Sequence, residues 1–230
     1  MNYKLYSRDL MIPMANSTFT WLFQEEKYFN TLLSEEQREF WRHNWFTYTL
    51  NNYGFRCNDF STYNKPTIAV LGSSHTFGTG LPLEKTWAWI VAENLGLELV
   101  NLAVPAGGMD TCSRVAKFWL PCIHPEIVLV QIPPLFRREY YVEDKGFSTK
   151  GVWDDTFTKF ALDNWTDEED KLNCDKNLDL INYYSDCKVT SFNLDDIAIG
   201  KAIEPIARDG RHWGIERHKL IAENVLNILK

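Results

Sequence analysis

The sequence predicts an α/β fold: a three-layer α/β/α sandwich whose central sheet is parallel, with a helical segment ahead of it. Two observations carry this. Four short apolar runs, TIAVL (67–71), LELVN (97–101), EIVLVQI (126–132) and CKVTSF (187–192), are rich in β-branched and aliphatic residues, the pattern of strands buried on both faces. Helix-like segments separate or follow them, at 84–96, about 110–120 and 168–184, and the closing stretch GIERHKLIAENVLNILK puts Leu220, Ile221, Val225, Ile228 and Leu229 on one apolar stripe. Strands that alternate with helices pair in parallel through crossovers, which cover both faces of the sheet. No internal repeat or low-complexity tract competes with this reading.

From the N-terminus, residues 1–60 read as an aromatic, helical cover. Ser34, followed by Glu36 and Gln37, caps a helix carrying Phe40, Trp41 and Trp45. That spacing fits a face buried against the following domain; a platform for stacking sugars is the other reading. Residues 61–230 make the α/β domain. Within it the segment at about 135–167 reads as an irregular, aromatic and charged insertion long enough to be a lid or binding loop.

Composition narrows the function classes. A chain of 230 residues that is 45% hydrophobic fits one domain with a sizeable core. Its 24 basic against 31 acidic residues give a net charge of -7, which disfavours nucleic acid and anionic membranes as partners. No apolar run spans a membrane and no signal-peptide core stands at the start, so a cytoplasmic location is expected. The five cysteines show no C-x-x-C pair and the five histidines no ligand spacing; core thiols and no structural metal are expected.

Where the first apolar run ends, the chain reads GSSHTFGTG (72–80). Ligands of open α/β sheets bind at such strand ends, where loops meet helix N-termini. The stretch lacks the lysine of a phosphate-binding loop, and Thr76 stands where the second glycine of a G-x-S-x-G elbow belongs. A different serine-hydrolase turn remains, with Ser74 as nucleophile and its own N–H facing a developing oxyanion. That reading demands a base oriented by a carboxylate. RDGRHWG supplies both: Asp209 lies three residues before His212, just ahead of the last helix. The geometry expected is a Ser74 hydroxyl within or near hydrogen-bond reach of one His212 ring nitrogen, with Asp209 at the other.

These blocks resemble the SGNH, or GDSL-type, serine hydrolases. VLGSSHTFGTGLPLEKTWAWIVAENLG is similar to that family's first block, LVNLAVPAGG to the second, PEIVLVQIPP by position to the third and DGRHWG to the last, while TLNNYGFR (49–56) resembles the segment that often precedes the first. The likeness covers residues 49–134 and 205–230. It implies the flavodoxin-like SGNH fold and a Ser74, His212, Asp209 triad acting without a cofactor on small acyl esters, with acetyl groups on carbohydrate among the candidates. The oxyanion hole it implies is formed by the N–H groups of Ser74 and Gly107, Ala106 holding the register position of the family's glycine. Two departures stand out. Ser73 replaces the aspartate of the family's name, and Pro133 and Pro134 replace the asparagine and aspartate of the third block, removing a donor.

Gln131, Arg137, Arg138 and His75 are the candidates to replace that donor, and substrate contacts are expected from His75, Gln131, Arg138 and Trp213. His75 alternatively just begins the next helix. Arg137, Arg138 and Glu139 read either as a clamp on a polar substrate or as a solvated cluster. His218, six residues past His212 on the final helix, is expected to face elsewhere, as a surface or supporting group. Tryptophans near the presumed lid (Trp153, Trp165, Trp213) suit stacking on a sugar ring. The other function classes are a catalytically impaired carbohydrate-binding or assembly protein on the same scaffold, and an O-acyltransferase using the same triad.

Overall fold

The structure is a computed structural model and describes residues 14–142, 146–151, 155–197 and 206–230. Its N-terminal part holds β1 (Thr18–Phe19), α1 (Glu25–Leu32), α2 (Glu35–His43) and β2 (Tyr48–Thr49), with β2 antiparallel to β1. There follow β3 (Thr67–Leu71), the one-turn α3 (Ser74–Phe77), α4 (Trp87–Leu95), β4 (Glu98–Asn101), α5 (Met109–Ile123) and β5 (Ile127–Ile132). The chain continues through β6 (Arg138–Val142), β7 (Gly146–Lys150), α6 (Asp155–Asn164), α7 (Asp167–Tyr184), β8 (Val189–Asn193), α8 (Leu194–Ile197) and α9 (Ile215–Ile228).

The central sheet is parallel throughout, in the order β4-β3-β5-β8, with Leu71 opposite Val130 and Ile132 opposite Asn193. Its strands are continuous apolar runs because both faces are covered. Ala69, Leu71, Val128 and Val130 pack against Val115, Ala116 and Trp119 of α5 and Cys174 and Ile181 of α7. Ile68, Val70 and Leu129 point the other way, onto Trp87 and Val91 of α4 and Ile221 and Val225 of α9. Three layers result, as the alternation of elements predicts. The helices start on local signals: the Thr86 hydroxyl accepts from the Trp89 N–H at 3.3 Å, and Thr166 with Glu169 makes a capping box.

Ser34 caps α2 with Gln37 as its box partner, and Trp41 is fully buried. Trp45 departs from expectation. It lies past the end of α2, 48% exposed, edge-on to Trp21 at 5.0 Å. Ile228 departs too: it is exposed on the last turn of α9, while Leu226 and Leu229 beside it pack on the core. The described residues of the segment after β5 are largely regular rather than irregular: β6 and β7 pair antiparallel and α6 follows. Trp153 lies outside the described residues. All five cysteines are free, Cys112 and Cys174 buried but Cys122 exposed. No helix among the described residues is long and apolar enough to cross a membrane.

Candidate active site

From β3 the chain steps outward to β4 and then back past β3 to β5, so α4 and α5 cross on opposite faces. The carboxyl ends of β3 and β5 therefore open a crevice between diverging connections. A cavity of about 480 Å³ lies there. Ser73, Ser74 and His75 line it from the end of β3, residues 131–137 from the end of β5, Asn193, Leu194 and Asp195 from the end of β8, and Arg211, His212 and Trp213 from the loop before α9.

The turn that carries Ser74 is fixed from both sides. A side chain on Gly72 would meet the Thr76 Oγ1 at 2.3 Å and the Gln131 Oε1 at 2.9 Å, so only glycine lets the backbone pass. The Gln131 Oε1 accepts from the Ser73 N–H (3.3 Å) and the Thr76 hydroxyl (3.1 Å), while its Nε2 donates to the Ile132 carbonyl. Gln131 is thus a buried brace beneath the turn rather than a donor aimed at a ligand. On the other side the buried Arg56 guanidinium donates to the carbonyls of Phe77, Gly78 and Leu81, fixing the end of α3. Burial pushes Arg56 down to about 10. Ser74 is half-buried, and among the described residues its hydroxyl makes no hydrogen bond.

The loop before α9 organises around Asp209. Its Oδ1 accepts from the N–H groups of Arg211 (3.1 Å) and His212 (3.0 Å), and its Oδ2 lies 2.5 Å from the His212 Nδ1. The carboxylate therefore fixes the proton on Nδ1 and leaves Nε2 as the acceptor. Burial raises the Asp209 carboxyl, and its hydrogen bonds to His212, the charge of that ring and the Arg211 amide outweigh it, so the pKa lies below the ordinary value. Gly80 ties the loop to the Ser74 turn: its carbonyl accepts from the Arg208 N–H at 2.9 Å, and a Cβ there would meet the Asp209 Oδ1 at 3.1 Å. Ser74 and His212 border one cavity without a hydrogen bond between them, as is common before a ligand draws such groups together.

Three imidazoles run inward from the cavity. The His75 ring lies 5.0 Å from that of His212, 4.6 Å from that of Trp213 and 6.5 Å from that of His218. His218 does not face elsewhere or sit on the surface. It is buried, and its Nδ1 accepts from the Trp87 N–H at 3.1 Å. An acceptor at Nδ1 requires a neutral ring, and burial first, then the charges of His212 and Arg56, push its pKa down to about 3. Burial, with the charges of His212, His218 and Arg137, likewise holds His75 well below the ordinary imidazole range. Among the described residues no group of three or more His, Cys, Asp or Glu could hold a metal ion.

Three further expected roles change. The Gly107 N–H is taken by the Val104 carbonyl at 2.9 Å, closing a tight turn around Ala106 at φ +64°, so it is not free to hold an oxyanion. Among the described residues the Ala106 N–H has no acceptor. Arg138 turns away from the cavity, pairing with Asp170 at 2.5 Å beneath the Trp165 ring. Glu139 is buried against Arg114 at 2.7 Å and forms no clamp. Trp213 does line the cavity, with the Arg217 guanidinium 5.5 Å from its ring centre.

Two features of the site escape a reading by motif. Arg211 lines the cavity beside His212, its guanidinium 4.2 Å from the Tyr28 ring centre. Arg208 is buried and paired with Glu25 at 2.9 Å. The partners lie far apart in the chain, and nothing local in the sequence announces them.

No protein-family model matches the chain and no curated protein matches it. Solved structures similar to it include TesA, with a TM-score of 0.48 at 13% identity over 71% of this chain and 98% of that one. A putative lipolytic protein of the G-D-S-L family from Desulfitobacterium hafniense has a TM-score of 0.42 at 12% identity, over 70% and 98% of the two chains. The psychrotrophic esterase EstA from Pseudoalteromonas has a TM-score of 0.41 at 16% identity, over 71% and 96%.

Proposed function

We propose that the chain is a serine ester hydrolase acting on small acyl esters, with Ser74 as nucleophile, His212 as general base and Asp209 as the carboxylate that orients it. The reading rests above all on one observation: His212, paired with Asp209 at 2.5 Å, lines the same cavity as Ser74, whose hydroxyl no described residue holds. The resemblance of the four sequence blocks to SGNH hydrolases supports it independently. In this reading residues 61–230 are the catalytic domain and residues 1–60 its cover.

In the first step His212 Nε2 takes the Ser74 proton as Oγ attacks the ester carbonyl. The tetrahedral oxyanion is held by the N–H of Ser74, with that of Ala106 in the place expected of Gly107. The C–O bond to the alcohol breaks, and the alcohol leaves with the proton from His212. Water then attacks the acyl-serine, giving its proton to His212 and releasing the acid, and the proton returns to Ser74.

The experiment is turnover of p-nitrophenyl acetate and butyrate by wild type and Ser74→Ala, with labelling by a fluorophosphonate. Turnover and labelling lost together in the variant are the expected result. A folded wild type that shows neither sinks the reading. A second reading, an impaired or transferring enzyme, is favoured by Pro133 and Pro134 and by the engaged Gly107 amide. Labelling of Ser74 without turnover would select it.

A further inference from the structure

The cavity beside Ser74 carries a charge pattern opposite to that of the whole chain. The sequence has a net charge of -7, yet the described lining residues include two arginines, Arg137 and Arg211, against one acidic residue, Asp195. The arginines arrive from different elements. Arg137 follows β5 and donates to the Gly107 carbonyl at 3.1 Å, so its charge is anchored at the wall. Arg211 is exposed at the rim, its backbone N–H held by Asp209 and its guanidinium resting on the Tyr28 ring at 4.2 Å.

An aromatic face attracts a guanidinium but accepts none of its N–H groups in the plane. Among the described residues Arg211 has no carboxylate partner. Its planar fork is thus oriented and still available to an anion at the mouth of the cavity. Between the rim and Ser74 the wall of Ile132, Pro133, Pro134, Leu135 and Phe136 offers apolar contact and, at its prolines, no N–H donor.

We propose that the site selects esters carrying an anionic group close to the scissile carbonyl, with Arg211 as the residue that reads the charge. The catalytic half of this rests on the hydrolase reading; the selection of charge is a binding property and is testable without turnover.

The test pairs esters that differ in charge at similar size: phenyl hydrogen succinate against phenyl butyrate, with the carboxylate on the acyl side, and para-acetoxybenzoate against its methyl ester, with the carboxylate on the alcohol side. Rates are corrected for spontaneous hydrolysis. Wild type is expected to favour the charged member of at least one pair by roughly tenfold in kcat/KM, the size of one charge-assisted contact weakened by solvent. Arg211→Gln is expected to remove most of that ratio through KM, Arg211→Lys to keep part of it, and high salt to compress it. A wild-type ratio at or below one in both pairs, or an unchanged ratio in Arg211→Gln, overturns the proposal.

Binding separates the two readings. Ser74→Ala protein is titrated with both members of each pair, with and without Arg211→Gln. Tighter binding of the carboxylate that depends on Arg211 supports charge selection even if no ester is hydrolysed, in which case the hydrolase reading alone falls. Hydrolysis with equal binding of the charged and uncharged members within both pairs overturns charge selection and leaves the hydrolase reading standing.

Discussion

At the scale of single residues the site depends on which nitrogen of each imidazole holds a proton. Asp209 fixes Nδ1–H on His212, so the proposed base is the nitrogen left over. In Asp209→Asn the amide turns an N–H toward that position and favours the opposite tautomer, putting a proton where the acceptor should be. Turnover is expected to fall on the order of 10²–10⁴-fold while the far-UV spectrum is unchanged; a loss below tenfold would remove Asp209 from the proposed role. Acid acts on the same residues in two windows. His218 and His75 are held neutral in the native state, below their ordinary value near 6.5. As pH falls beneath about 6.5 the unfolded chain gains protons that the native rings refuse, so stability drops by up to about 1.4 kcal/mol per pH unit for each. Asp209, lowered, adds stability that is present above the ordinary carboxylate value and lost only as pH falls through its native one. Denaturant midpoints measured from pH 7 to pH 5 should therefore decline in wild type and decline less steeply in His218→Gln, whose side-chain oxygen can still accept from Trp87. Parallel slopes would mean that His218 is not the group that titrates.

At the scale of elements the strands were legible and the clamp on the base loop was not. TIAVL and EIVLVQI show themselves as β3 and β5 because a parallel strand buried on both faces needs an unbroken apolar run, and the glycine after TIAVL marks where it ends. The hairpin of β6 and β7 stayed hidden because its alternation is blurred by charged residues that pair elsewhere, Glu139 with Arg114 and Arg138 with Asp170. The Gly107 amide stayed hidden because a backbone hydrogen bond leaves no mark on residue identity. The contact between α1 and the loop before α9 is longer in range still. Glu25, Tyr28 and Leu32, at helical spacing, meet Arg208, Arg211 and Gly210: an ion pair at 2.9 Å, a ring contact at 4.2 Å and a van der Waals approach. Arg208 also donates to the carbonyls of Phe46 and Thr20, and its guanidinium carbon lies 3.7 Å from the Phe46 ring centre. Glu25→Gln would leave a fully buried cation without its counter-ion, so a loss of about 3–5 kcal/mol is expected in urea unfolding. Glu25→Met with Arg208→Met should recover part of it. A Glu25→Gln loss below about 1 kcal/mol would show that the pair is not a clamp.

At the scale of the whole molecule the question is what holds a proposed base that no strand carries. Ser74 stands three residues past the end of β3, and Pro133 follows β5, so the sheet fixes both. His212 sits instead on a loop beyond β8, and the groups that hold this loop come largely from the N-terminal part. The Trp41 indole donates to the Ile206 carbonyl at 3.0 Å, and Phe29, Leu33 and Trp41 share one apolar cluster with Leu81 and Ala207. Tyr48 accepts from the Gly80 N–H at 2.7 Å, and the Gly80 carbonyl takes the Arg208 N–H. Opening the N-terminal part would strip the partners of Gly80, Arg208 and Ala207 at once, so local release of α2 with the site intact is physically disfavoured. Native-state hydrogen exchange tests this. The amides of Gly80, Ala207 and Arg208 are expected to exchange with the same opening free energy as the inner amides of α2, and Glu25→Gln should lower both sets equally. Exchange of α2 at markedly lower free energy than Gly80 would mean that residues 14–50 lie on the domain without holding the loop of His212 in place. Equal exchange would make the N-terminal part the outer support of the site, joined to the sheet through Gly80 and to the loop of His212 through Arg208.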